Sequence, residues 1–298
     1  MRILVTGSTG LIGSALVPFL TSQGHEIIRL VRSKPKPGSN EFQWDPLAGI
    51  VDPAALTGID GVVHLAGENI AERWTAEKKA RIRDSRVKGT QTLCKALIQL
   101  TQPPRIGVFA SAVGYYGNRG DEILREESPP GSGFLAEVCR EWEAATEPAV
   151  QKGIRVVRLR IGIVLSPTGG ALAAMLPAFK IGAGGPIGGG KQYVSWITLD
   201  DLITVIDHVI KMETLQGPVN AVTPNPVTNA EFTKILGKVL GRPTALPMPA
   251  FAARLAFGEM ANELLLASTR VEPARLLASG YTFRYPHLEE ALRHLLGN

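Results

Sequence analysis

The chain has 298 residues, 45% of them hydrophobic and 20% charged, with a formal net charge of +5. That composition excludes a disordered or fibrous chain, and the length asks for one main domain with a smaller companion. No apolar run reaches the roughly 18 to 20 residues of a membrane span, and the first residues form a strand pattern in place of a cleavable leader. A cytoplasmic or stroma-like setting is therefore expected.

Along the chain, short apolar runs alternate with longer helical patterns. Arg2–Thr6 reads as a strand, 11–23 as a helix, Glu26–Val31 and 61–66 as strands, and 75–100 as a helix. A strand at 106–111, a helix over 135–151 and a β-branched run at 154–164 continue the series. These strands are apolar nearly throughout, as burial on both faces requires. The alternation predicts an α/β fold built on a Rossmann-type, doubly wound parallel sheet. Beyond Gly169 the pattern loosens: glycines crowd 182–190 and prolines punctuate 218–226 and 243–249, so these stretches read as loops. From Asn229 the apolar spacing is again helical, ending in the amphipathic Leu288–Leu296. The expected division is a dinucleotide-binding domain over 1–225 and a smaller, mainly helical C-terminal substrate or lid domain over 226–298, with the 170–195 loop contributing to the cleft.

Directly after the first strand stands Gly7-Ser8-Thr9-Gly10-Leu11-Ile12-Gly13, leading into an apolar helix. The three glycines suit a tight bend, close approach of a pyrophosphate and close helix packing, while backbone N–H groups at the helix start face the phosphates. The strand–turn–helix context makes this a dinucleotide fingerprint. A carboxylate at the end of the second strand would hydrogen-bond the ribose hydroxyls of NAD; here the chain reads Val31-Arg32-Ser33-Lys34. A guanidinium at Arg32 suits a 2′-phosphate, so the expected cofactor is NADP(H).

Other signals point away from other functions. The densest basic stretch, Lys78, Lys79, Arg81, Arg83, Arg86 and Lys88, lies in one helical pattern without interleaved aromatic residues, which argues against nucleic acid. Gly185 to Lys191 satisfies Gly-x-x-x-x-Gly-Lys, but Gln192 replaces the magnesium-binding hydroxyl and a strand pattern follows instead of a helix. A mobile loop over the cofactor cleft is the expectation there. Cys94 and Cys139 read as buried, inert thiols. The histidines His25, His64, His208, His287 and His294 show no ligand spacing, so no metal is expected.

With the fingerprint, His64-Leu65-Ala66-Gly67 and Ser111-Ala112-Val113-Gly114-Tyr115-Tyr116-Gly117 in view, the chain resembles the extended short-chain dehydrogenase/reductase superfamily. Within it, the chain is similar to an epimerase-like family that includes a human atypical member and a plastid cell-division factor. Leu65 to Ile70, Ser85-Arg86, Gly185 to Gly188, Trp196-Ile197, Thr228 to Phe232 and the closing Gly280-Tyr281, Phe283 and Tyr285-Pro286 carry that likeness across almost the whole length. The resemblance implies that Gly7, Thr9, Gly10, Leu11, Ile12 and Gly13 bind the cofactor. It places Leu65 and Ala66 beside the adenosine, Arg81 and Arg86 near the phosphates, and Ile163 close to the nicotinamide.

Ordinary members of that superfamily carry Tyr-x-x-x-Lys, in which the lysine lowers the tyrosine pKa for proton transfer, plus a Ser or Thr four residues before the tyrosine of the Tyr-Gly segment. The matching helix here reads Phe134-Leu135-Ala136-Glu137-Val138, and the hydroxyl position is Ala112. Ser111 is displaced by one residue, which on a strand turns it to the opposite face. Tyr116, Ser111 and Glu137 are the candidates left for proton transfer, with Tyr115 beside them. The leading expectation is an NADP(H)-dependent oxidoreductase or epimerase acting on a small molecule. The alternative is a non-catalytic NADPH-binding regulator that engages a protein partner, with cell or plastid division as one setting.

Overall fold

A computed structural model describes residues 1–297. In chain order the elements are β1 (Arg2–Thr6), α1 (Leu11–Ser22), β2 (Glu26–Val31), β3 (Glu41–Asp45), β4 (Ile50–Val51), β5 (Gly61–His64), α2 (Ala76–Ile98), β6 (Ile106–Ala112), β7 (Ile123–Leu124), α3 (Phe134–Ala144), α4 (Glu147–Gln151), β8 (Arg155–Ile161), β9 (Ile163–Leu165), α5 (Gly170–Lys180), β10 (Tyr193–Val194), β11 (Trp196–Thr198), α6 (Leu199–Lys211), β12 (Gly217–Ala221), β13 (Val227–Thr228), α7 (Asn229–Leu240), α8 (Ala250–Phe257), β14 (Arg270–Val271), α9 (Ala274–Ala278) and α10 (Leu288–Leu296). One sheet runs in the order β12-β8-β6-β5-β1-β2-β3-β4, with every neighbouring pair parallel except β3 with β4.

Strand alternation builds the two cores. In β1, Ile3 and Val5 enter a cluster with Leu202, Val205 and Val209 of α6, while Leu4 enters the opposite one with Leu93 and Leu97 of α2. Each strand is therefore apolar on both faces, and a one-residue slip would exchange the two sets. The amphipathic α6 starts at Thr198, whose hydroxyl accepts from the Asp201 N–H, a cap worth about 1 kcal/mol. The third cluster joins α5, α7 and α10 around the fully buried Trp196.

Four expectations change. The 218–226 stretch is not all loop, since β12 forms there beside β8. The stretch after Gly169 is not loop: α5 forms there, with Leu172, Leu176 and Phe179 buried on one side and Pro177 tolerated within it. The 135–151 pattern divides into α3 and α4, because Pro148 begins a second helix instead of continuing the first. The Gly182–Gly190 stretch is pinned and not free. The Ile187 N–H donates to Asn229 Oδ1 at 2.7 Å, the Gly188 N–H to the Met248 carbonyl at 2.8 Å, and Gln192 Nε2 to the Ile187 and Leu265 carbonyls at 3.0 and 2.9 Å.

Candidate functional site

The parallel order brings Thr6, Val31, His64, Ala112 and Ile161 to one edge of the sheet. The chain leaves β1 toward β2 on one side, and β5 lies on the other, so the strand order reverses beside β1. Ligands of open α/β sheets bind in the crevice at such a point, outside the carboxyl ends of the strands.

The first turn is built for a close visitor. Gly7 has φ +69°, and a Cβ there would sit 2.8 Å from the Ala66 nitrogen, so only glycine lets the turn lie against the end of β5. At Gly13 a Cβ would meet the Gly7 carbonyl and come within 2.7 Å of Ser8 Cα, so the α1 backbone packs directly on the turn. No side chain caps α1, and its first turn contains no acidic residue. Its opening N–H groups and partial positive charge therefore face the crevice without an internal anion. Ser8 is 6% exposed, and its hydroxyl has no hydrogen-bond partner. Thr9 and Gly10 are exposed, Leu11 and Ile12 half-buried, and Leu11 packs against the Gly169–Gly170 turn. A buried donor without a partner and an uncapped helix are what a bound pyrophosphate would satisfy.

Beneath this turn, His64 is fully buried between the hydroxyls of Thr6 at 2.7 Å and Thr90 at 3.1 Å. Burial lowers its pKa to about 4, so it is a neutral strut. The Ala66 N–H donates to Thr6 Oγ1 at 3.3 Å, which ties the β5 exit to the same strut. Leu65 and Ala66 are half-buried on that exit. Arg32, at the exit of β2, is exposed, with no ion pair or hydrogen bond among the described residues.

The two helix arginines lie differently. Arg86 is half-buried behind Gly67, donates to the Glu68 and Ile82 carbonyls at 3.0 and 3.2 Å, and sits 5.2 Å over the Trp142 ring; burial lowers its pKa. Arg81 is exposed, and its Nε lies 3.5 Å from Glu68 Oε1. Ile163 is half-buried at the start of β9, with its N–H on the Ser195 carbonyl at 2.9 Å.

The proton-transfer candidates do not converge. Tyr116 is fully buried: its hydroxyl accepts from Arg160 Nη1 at 2.9 Å and faces Asn220 Oδ1 at 2.7 Å and the Arg125 carbonyl at 3.0 Å. Burial, only partly countered by Arg160, pushes its pKa to about 12. Ser111 is also buried and donates to Glu143 Oε1 at 2.7 Å, which uses its hydroxyl internally. Glu137 stands apart on the outer face of α3, half-exposed, 3.4 Å from Arg83. The centre of this region is a pair that the sequence reading passed over, Arg160 with Glu143, bidentate at 2.8 and 2.9 Å. Burial works against the Arg160 charge, yet the Glu143 carboxylate raises its pKa overall. An arginine inside an apolar strand run was the available signal, because a charge there requires a partner. Tyr115 is half-buried, with the Arg160 guanidinium 3.5 Å from its ring centroid and its own hydroxyl free of hydrogen bonds among the described residues. Phe134, where the usual tyrosine would be, packs edge-on to Trp74 at 5.2 Å within an apolar cluster.

Residues 3–221 match the NAD dependent epimerase/dehydratase family, and 248–295 match a domain of unknown function. The chain belongs to the NAD dependent epimerase/dehydratase family. Within it, an epimerase family protein of Mycobacterium bovis is 46% identical over 97% of this chain and 96% of its own. The chloroplastic homologue of epimerase family protein SDR39U1 from Arabidopsis thaliana is 40% identical over 99% of this chain and 87% of its own. The crystal structure of the human SDR39U1 protein, solved with NADPH, superposes with a TM-score of 0.90 at 37% identity, covering 100% of both chains. A nucleoside-diphosphate sugar epimerase from Corynebacterium glutamicum gives 0.83 at 43% identity, covering 100% of this chain and 58% of that one. Among the described residues no helix is long and apolar enough to cross a membrane.

Proposed function

We propose that the chain is an NADP(H)-dependent oxidoreductase or epimerase-like enzyme, with the cofactor pyrophosphate on the first turn of α1 and the adenosine 2′-phosphate against Arg32. The observation that carries this reading is the combination of an uncapped α1 with an exposed, partnerless guanidinium on the neighbouring strand exit. The NADPH in the human relative supports the same choice of cofactor. The nicotinamide, when bound, supplies hydride transfer.

The chain's own residues bind and orient. The 7–13 turn offers backbone N–H groups, Leu65 and Ala66 flank the adenosine side, and Ile163 bounds the nicotinamide side. Arg86 fixes the 67–68 backbone, and Arg81 guards the outer phosphate side. With Tyr116 and Ser111 committed internally, Tyr115 is the hydroxyl left to hold a proton at the crevice, its ring held against the Arg160 guanidinium. The substrate lies between this edge and the C-terminal helices.

Titration with NADPH and NADH tests the assignment. Losing a charge-assisted contact worth about 1.5–3 kcal/mol, Arg32→Ala weakens NADPH on the order of 10- to 150-fold and leaves NADH unchanged. Equal affinity for the two cofactors in the wild type would overturn it. One observation favours a second reading, a cofactor-gated binder without turnover: Phe134 and Val138 replace both members of the usual pair, and Phe134 is packed away against Trp74. That reading predicts tight NADPH binding with no consumption by any carbonyl compound, and a protein partner whose affinity changes with cofactor occupancy.

A further inference from the structure

Among the described residues, every buried or half-buried lysine or arginine has an ion pair or a hydrogen bond except Arg270. Arg2, Arg29, Lys78, Lys79, Arg83, Arg119, Arg158 and Arg160 pair with carboxylates. Arg86, Arg155 and Arg275 donate to carbonyls. Arg270, half-buried in β14, has neither, and its guanidinium lies 4.8 Å over the ring of Tyr193. A partly desolvated charge without a counter-charge costs stability, and a guanidinium whose only contact of this kind is an aromatic ring has N–H groups left to donate to an oxyanion.

Its place in the fold gives that oxyanion a purpose. Ser195 clips β14 to the start of β9: its hydroxyl donates to the Thr269 carbonyl at 2.7 Å and accepts from the Val271 N–H at 2.9 Å, while its carbonyl accepts from the Ile163 N–H at 2.9 Å. Arg270 is thus one residue from a clip that touches the backbone of Ile163, on the side of the crevice away from Arg32. Val271, its neighbour in β14, points the other way into the cluster with Tyr115 and Tyr116.

We propose that Arg270, oriented by Tyr193, binds the carboxylate or phosphate of an anionic substrate, a site separate from the cofactor's own phosphates. The proposal rests on the crevice assigned above and narrows its substrate to a small molecule with an oxyanion. Calorimetric titration of the NADPH-saturated protein, in which the first turn and Arg32 are already engaged, separates the two. Pyruvate serves as the carboxylate probe, inorganic phosphate as the phosphate probe and acetone as the neutral control.

One of the two anions binds and acetone does not. Arg270→Met weakens that binding at least tenfold, Arg270→Lys by an intermediate amount because the planar fork is lost, and Tyr193→Leu several-fold. NADPH affinity stays unchanged in all three, and Arg32→Ala at saturating NADPH leaves anion binding intact. Arg270→Met unfolds at the same temperature as the wild type or a higher one, since it removes an unpaired charge. Anion binding equal in Arg270→Met and wild type, anion binding only when NADPH is absent, binding of neither anion, or a lowered unfolding temperature would each overturn the proposal. Failure of NADPH itself to bind would sink the cofactor reading instead.

Discussion

The two ends of the crevice treat their polar groups in opposite ways. At the β1 and β2 exits an uncapped helix, the unpartnered Ser8 hydroxyl and the unpaired Arg32 wait on groups the chain does not supply. At the β6 and β8 exits Tyr116, Ser111, Glu143 and Arg160 satisfy one another and are sealed from solvent. Polar residues at one edge can thus have opposite meanings: a group left short of partners points to a ligand, whereas a satisfied network holds the scaffold. Arg270 and Tyr115 belong with the first kind although they adjoin the second.

The comparison breaks most visibly at Arg160. Arg160→Met strands the buried Glu143 carboxylate and destabilises the fold by about 3–5 kcal/mol, read as a lower urea midpoint, while the fraction that folds still binds NADPH. An unchanged midpoint would mean the network is not holding the scaffold.

The His64 strut gives a pH test of nearly the same size. Its folded pKa of about 4 lies below the ordinary 6.5, so the unfolded chain binds the extra proton between those values. The stability is complete above pH 6.5 and is lost as the pH falls toward 4. At 1.36 kcal/mol per unit the loss is about 3 kcal/mol. Urea unfolding at pH 7.5 and 4.5 on wild type and His64→Asn measures it: the variant lacks that part of the slope, and parallel slopes would contradict it.

The smallest effect sharpens the comparison most. Tyr116→Phe leaves Asn220 and Arg160 short of a partner and costs about 1–3 kcal/mol of stability without changing NADPH affinity. Tyr115→Phe costs almost nothing in stability but removes turnover once a substrate is in hand. The reverse pattern would exchange the roles of the two tyrosines.

Much of the crevice was legible because its signals are local. Gly7, Gly10 and Gly13 sit within one turn, Arg32 ends the next strand, and strand alternation announces burial on both faces. The sealed network was not, because Arg160, Glu143, Ser111 and Asn220 meet only through the sheet order, and sequence spacing does not show which hydroxyl is already taken. The same limit applies to Tyr116, whose motif position suggested chemistry but whose hydroxyl is buried against Arg160, Asn220 and the Arg125 carbonyl. Glycine density at 182–190 suggested mobility, but mobility depends on distant partners such as Asn229 and Met248. The α5 helix was hidden by its glycine start and by Pro177, and it forms because its apolar side is buried against Trp196 and α7.

The central claim is that the empty-handed groups at the β1 and β2 exits serve NADP(H). A crystal structure of the protein with NADPH tests it most directly. The account predicts the pyrophosphate on the N–H groups at the start of α1, within reach of Ser8, and the 2′-phosphate on the Arg32 guanidinium. A cofactor bound elsewhere, or one bound here with Arg32 turned to solvent and its 2′-phosphate uncontacted, would contradict it.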